Sequence, residues 1–221
     1  DMLRVFSDLF IGNAAEKISP LEAASIYSGF SDLMPPGPDS QVARLKFADY
    51  LVSMDLLDKA EEIFEEQLKL GVPDAQAPGI GTKLAAIYLL DRKPSRALDA
   101  LDATTRGTVD PALDDQRTLL RARAKSQLDR PDEAMAILEP MTSPEAQTLK
   151  VDVLWHAKKW SEAADNLEMM VPSPSEAISE DAAKLVVNLA VSAKLSGDAK
   201  RLNSLKRDYS AAMAKTKSAA T

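Results

Sequence analysis

Residues 82–101 read Thr82-Lys83-Leu84-Ala85-Ala86-Ile87-Tyr88-Leu89-Leu90-Asp91-Arg92-Lys93-Pro94-Ser95-Arg96-Ala97-Leu98-Asp99-Ala100-Leu101. The stretch contains two amphipathic helical segments, with Lys93-Pro94 placing a proline where the second begins. Leu84, Ala85 and Tyr88 recur at helical spacing in the first segment, and Ala97 and Leu101 in the second. A small residue on each helix lets two backbones approach, and large residues above and below fill the layers. Working outward from Ala97, alanines stand at Ala23, Ala60, Ala134, Ala163 and Ala199, so that the six are spaced by 37, 37, 37, 29 and 36 residues. Each follows a charged residue and lies near the start of an amphipathic stretch. A period in this range signals stacked helix pairs.

The punctuation between these stretches is helical throughout. Ser19-Pro20-Leu21-Glu22 reads as a cap, a first-turn proline and a capping-box glutamate, and Asp58-Lys59-Ala60-Glu61 reads as the same logic with an aspartate cap. Asp110-Pro111, Ser143-Pro144 and Ser173-Pro174 predict further helix starts, as does Arg130-Pro131. The connectors, such as Met34-Pro35-Pro36-Gly37-Pro38 and Gly71-Val72-Pro73, are too short for flexible interdomain linkers. The expectation is an all-α single domain over 1–221. It is an α-solenoid of about six antiparallel hairpins, roughly 1–34, 39–70, 77–105, 111–141, 144–171 and 176–215. In the second, Leu45, Ala48, Leu51 and Val52 and then Ala60, Ile63, Phe64 and Leu68 supply the apolar faces that stacking buries.

Composition narrows the class of activity. With 27 Lys+Arg against 34 Asp+Glu, the net charge of −7 argues against general affinity for phosphate backbones, so no nucleic-acid partner is expected. Lys200, Arg201, Lys206, Arg207, Lys215 and Lys217 make only the C-terminal end basic, which reads as a solvated last helix. The absence of cysteine removes disulfides and thiolate metal sites and fits either a reducing cytosol or a bacterial periplasm. No apolar run approaches the ~20 residues needed to span a bilayer. The chain opens at Asp1 without a signal-peptide signature and is read as a piece of a larger protein.

The pattern resembles the tetratricopeptide repeat. The resemblance extends from about Ser19 to Tyr209 and is clearest where Leu84, Ala85, Tyr88, Ala97 and Leu101, and before them Phe47, Ala48, Leu51, Ala60 and Phe64, take the family's large and small positions. It implies a right-handed superhelix. Arg121 and Lys150 stand where large apolar residues belong, and Leu120 and Leu149 would replace them if the intra-hairpin turn were one residue longer. Asn203 replaces the large residue of the sixth hairpin, and the family's first-helix tryptophan and glycine are absent.

Catalytic constellations are missing. His156 is the single histidine and reads as a surface or groove residue. Gly79-Ile80-Gly81 is too short for a phosphate loop and follows no strand, and no nucleophile elbow is present. Glu61-Glu62 with Glu65-Glu66, and Asp114-Asp115, read as solvated carboxylates rather than metal ligands. Met169-Met170 read as core filler, and of Trp155 and Trp160 one packs while the other is open to an anchoring role. No cofactor or metal and no enzymatic activity are expected.

The resemblance implies a peptide-binding groove lined by the first helix of each pair. Its positions fall on Leu45 and Asp49, Thr82 and Ala86, Leu119 and Arg123, Thr148 and Asp152, and Lys184 and Asn188. Lys184 and Asn188 match part of the family's carboxylate clamp, whose other members are missing. The contraction to 29 residues brings Arg123, Asp152 and Trp155 near one irregular seam. The expected function is a non-catalytic scaffold holding a protein or peptide partner along a concave face. The alternative is a structural spacer or self-association segment, forming a homo-oligomer through the stack end near Val5, Phe6 and Phe10 or through the C-terminal helix.

Overall fold

The computed structural model describes Glu22, Ser25, Gly29, residues 37–174 and residues 178–216. Of the expected first hairpin only Glu22, Ser25 and Gly29 are described; Ser19 of the capping box and the Val5, Phe6 and Phe10 end lie outside the described residues. Ten α-helices and no strands occur among those residues. They are α1 Pro38–Ser53, α2 Leu57–Leu70, α3 Ala77–Leu90, α4 Pro94–Ala103, α5 Pro111–Gln127, α6 Pro131–Leu138, α7 Pro144–His156, α8 Trp160–Met170, α9 Glu180–Leu195 and α10 Ala199–Met213. None is long and apolar enough to cross a membrane. The chain divides into two compact units, Asp1–Ala124 and Lys125–Thr221.

One backbone device closes five of the described helices. Asp55, Arg92, Asp129, Lys158 and Gly197 adopt positive φ of 60°, 57°, 58°, 57° and 78°. The next residue's N–H then reaches back five residues, as in Lys93 N to Tyr88 O at 2.7 Å and Asp198 N to Ala193 O at 2.8 Å. Leu56, Arg130 and Lys159 do the same to Leu51, Lys125 and Leu154. This is the Schellman closure, which satisfies carbonyls that the helix end leaves free.

These turns settle the register. They are spaced by 37, 37, 29 and 39 residues, and Ala60, Ala97, Ala134 and Ala163 each follow by five and are fully buried. All five turns have one length, so the longer turn considered for Arg121 and Lys150 does not occur; both occupy the large apolar position. Lys150 solves the problem by donating to Met141 O at 2.9 Å and Glu139 O at 3.4 Å. Those carbonyls end the eight-residue α6 ahead of α7, with Pro140 in the connector. In the last hairpin the equivalent position is Leu202. Ala199 opens α10 and is exposed, so the sixth alanine is not a packing residue.

The caps separate local expectation from outcome. Ser143 accepts from Ala146 N, and Asp110 accepts from Ala112 N at 3.0 Å. Asp58 is not a cap: the turn places Leu56 at that position and Asp58 inside the first turn of α2. Ser173 and Pro174 are not helical; the next described helix opens at Ser179, whose hydroxyl accepts from Ala182 N.

In the first unit, Phe47, Ala48, Leu51, Ala60, Phe64, Leu84, Ala85, Tyr88, Ala97 and Leu101 form the core that the residue pattern predicts. The second unit packs Val151, Ala164, Leu167, Val186, Leu189, Leu205 and Tyr209.

Candidate peptide-binding surface

In the first unit, α1, α3 and α5 contribute to one trough of about 600 Å³. Leu45, Thr82 and Ala86, expected at groove positions, line it. Asp49 stands beside it through Lys83, whose ammonium donates to both carboxylate oxygens at 2.6 and 2.8 Å. Both partners are about half exposed. Such a pair is worth about 0–1 kcal/mol and leaves the wall with no net charge.

The α5 contribution extends beyond the expected residues. Leu113 and Gln116 line the trough, while Leu119 is half-buried and Arg123 exposed. All four belong to one helical stripe, at spacings of three and four. Arg123 has no ion pair among the described residues. The sequence reading missed Val42, Gln76, Leu113 and Gln116. For α5 the signal was available, since Gln116 and Leu113 sit three and six residues before Leu119 on the same helix. Gln76 lies at the entry to α3, where no periodicity marks a face.

Thr82 enters the trough wall differently from the expectation. It is buried, and its hydroxyl donates to Pro78 O at 2.7 Å while accepting from Arg117 Nη1 at 3.1 Å. Arg117 is only 2% exposed. It also donates to Pro78 O at 2.8 Å, to Leu101 O, and to the Thr104 and Thr105 hydroxyls. No carboxylate pairs with it among the described residues. Burial, followed by the nearby Arg121 charge, pulls this guanidinium below its ordinary value. Arg117 therefore ties α5 to α3 and to the end of α4 behind the trough. Thr104 approaches α3 at Gly81, where a Cβ would meet Thr104 Oγ1 at 1.9 Å.

Behind the same helices lies a second polar network. Tyr88 Oη donates to Glu65, Arg96 pairs with Glu65, and the Arg96 guanidinium lies 4.5 Å from the Tyr88 ring centroid. Burial and then the Glu65 contact push the Tyr88 hydroxyl up. Burial raises Glu65, but the Tyr88 hydrogen bond and the Arg96 and Lys69 charges outweigh it and hold the carboxyl below its ordinary value.

Glu61 corrects the reading of the acidic run as solvated. It is 4% exposed, and Lys93 Nζ lies 2.8 Å from its Oε2. Asp58 and Asp91 place ligand atoms within 4.8 Å of it. The Lys93 ammonium bonds all three carboxylates and so fills the place a cation would take. Hydrogen bonds to Asp91 and then Glu61 hold that ammonium above its ordinary value.

In the second unit, Thr148 and Asp152 are exposed on α7, with the Thr148 hydroxyl donating to Pro144 O. Trp155 is half-buried: its Nε1–H donates to Ser192 Oγ on α9 at 3.0 Å, and its ring meets Trp160 edge-on at 5.7 Å. Neither tryptophan is a fully exposed anchor. His156 is exposed and donates from Nδ1 to Asp152 O at 2.8 Å. Lys184 pairs with Asp181 on its own helix at 2.9 Å, and Asn188 is half-buried. Counted from the turns, the α9 positions equivalent to Thr148 and Asp152 are Val187 and Val191, three residues beyond Lys184 and Asn188.

Compared with protein-family models, with curated proteins and with solved structures, the chain gives no match, so its function must be read from these residues.

Proposed function

We propose that the chain is a tetratricopeptide-like scaffold without catalytic chemistry of its own, and that the first helices of its hairpins hold a segment of a partner protein. The supporting observation is the trough of the first unit, where Leu45, Thr82 and Ala86 meet Leu113 and Gln116 from a third first helix. Clefts of this size with apolar walls and a few polar groups are the usual form of a binding site. The wall is held from behind by Arg117 and Thr104, so recognition proceeds on a surface already shaped, which lowers the ordering cost of association.

Selection from a displayed peptide library, repeated with Leu45→Glu, Ala86→Glu and Arg123→Glu variants, tests the reading. Enriched peptides should lose binding to the first two variants. Enrichment that all three variants leave unchanged removes this face from consideration.

A further inference from the structure

We infer that the occupant of the first-unit trough is an extended, uncharged, aliphatic segment of a partner protein, gripped through its backbone by Gln76 and Gln116. The inference rests on the peptide-binding reading above and adds the chemistry and the conformation of the ligand.

Charge carries the first half. Among the described residues the only charged side chain lining the trough is Lys83, and Asp49 already holds its ammonium with both oxygens. An acidic ligand would have to draw Lys83 away and lie beside Asp49, and a basic ligand would meet the reverse. Neither sign gains from a pair that is already neutral. Apolar contact is what the trough offers: Val42, 49% exposed, together with Leu45, Ile80, Ala86 and Leu113. Of these Val42 is exposed, Leu45, Ala86 and Leu113 are half-buried and Ile80 is buried, so an aliphatic side chain seated there would meet apolar atoms on several sides.

The two glutamines carry the second half. Both line the trough, both are exposed, and neither carboxamide has a hydrogen-bond partner among the described residues. Each offers two N–H donors and a carbonyl acceptor, which match the C=O and N–H of a peptide group. A helical ligand has already used those groups internally, whereas an extended one presents them outward and points alternate side chains to one face. Along α3 the wall runs from Gly79 to Ala86, about 10 Å at 1.5 Å per residue. That length accommodates about three extended residues at ~3.3 Å each.

The test uses the full chain, isotope-labelled, and blocked dodecapeptides built from Ala, Val, Leu and Thr. Matched sets carry Glu or Lys at alternate positions, N-methylated backbone amides, or an amphipathic helical sequence. The neutral extended peptides should shift the side-chain NH₂ resonances of Gln76 and Gln116. Their affinity should change less than about twofold between 50 and 500 mM salt, since no charge is neutralised on binding. Gln76→Ala and Gln116→Ala should each weaken binding about fivefold, the equivalent of one net hydrogen bond. N-methylation should abolish binding.

Tighter binding by the acidic, basic or helical set, or indifference to N-methylation, overturns the inference while leaving a peptide-binding trough in place. If no set shifts any residue of α1, α3 or α5, the inference and the reading beneath it both fall.

Discussion

Gly81 is the most informative residue to change, because two effects of known size oppose each other there. It lies inside α3, where replacing glycine by alanine normally stabilises by about 1 kcal/mol. A Cβ at this position would stand 1.9 Å from Thr104 Oγ1, 2.6 Å from its Cβ and 2.7 Å from its Cγ2. Rotating the threonine cannot help, since its Cβ is placed by the backbone. α3 and the end of α4 must therefore part by the better part of an ångström. Overpacking of this kind costs about 1–3 kcal/mol. The movement also loosens the Thr104 hydroxyl from Arg117, a hydrogen bond to a charged group worth about 1.5–3 kcal/mol. The sum exceeds the helix-propensity gain, and Gly81→Ala should destabilise by about 2–4 kcal/mol. Gly79→Ala is the internal control: it lies two residues away in the same helix with nothing within 4 Å of its added Cβ, and should stabilise by about 0.5–1 kcal/mol. Both tryptophans lie in the second unit, so the assay is urea unfolding by far-ultraviolet dichroism together with hydrogen exchange of α3 and α4 amides. If Gly81→Ala stabilises as much as Gly79→Ala, the close α3–α4 approach and the argument built on it are wrong.

At the turns, Arg92→Gly and Asp129→Gly should each raise stability by about 0.5–1 kcal/mol, because both residues sit at left-handed φ that costs a side chain more than glycine loses in entropy; urea midpoints check this. Ser143→Ala should cost about 1 kcal/mol, read by tryptophan fluorescence of the second unit, whereas Asp58→Ala should cost less than about half of that because Asp58 caps nothing. The Glu65 carboxyl is held below its ordinary value in the folded chain. Its contribution is complete above the unfolded value and is lost as pH falls through the folded one. Acidification from about pH 6 to 3 should therefore lower the urea midpoint more in the parent chain than in Glu65→Gln; equal losses would detach Glu65 from the acid response.

Much of this molecule follows from local pattern. The prolines at 94, 111, 131 and 144, the Ser143 and Asp110 caps and the 3.6-residue spacing of Phe47, Leu51, Leu84 and Tyr88 place helices and their buried faces without reference to anything distant. Leu45 and Ala86 of the trough were indicated instead by the resemblance, whose groove positions fall on them. Register across the later hairpins was not. It depends on which residue turns left-handed, and Asp55, Arg92, Asp129, Lys158 and Gly197 share no side-chain type that announces it. The periodic alanines stood in for that signal through Ala163 and failed at Ala199, which opens α10 two residues after Gly197, whereas the position five residues after the turn is Leu202.

What the sequence determined by itself is therefore a succession of helices whose buried faces are legible in the first unit. What only the tertiary structure decided is where its charges go. Arg117 and Glu61 look like surface residues in the sequence, yet lie buried because carbonyls at the ends of α3 and α4 and the Lys93 ammonium reach them from more than ten residues away. Burial of a charged group is set by the partners that satisfy it, and those partners are brought by the fold, not by neighbours in the chain.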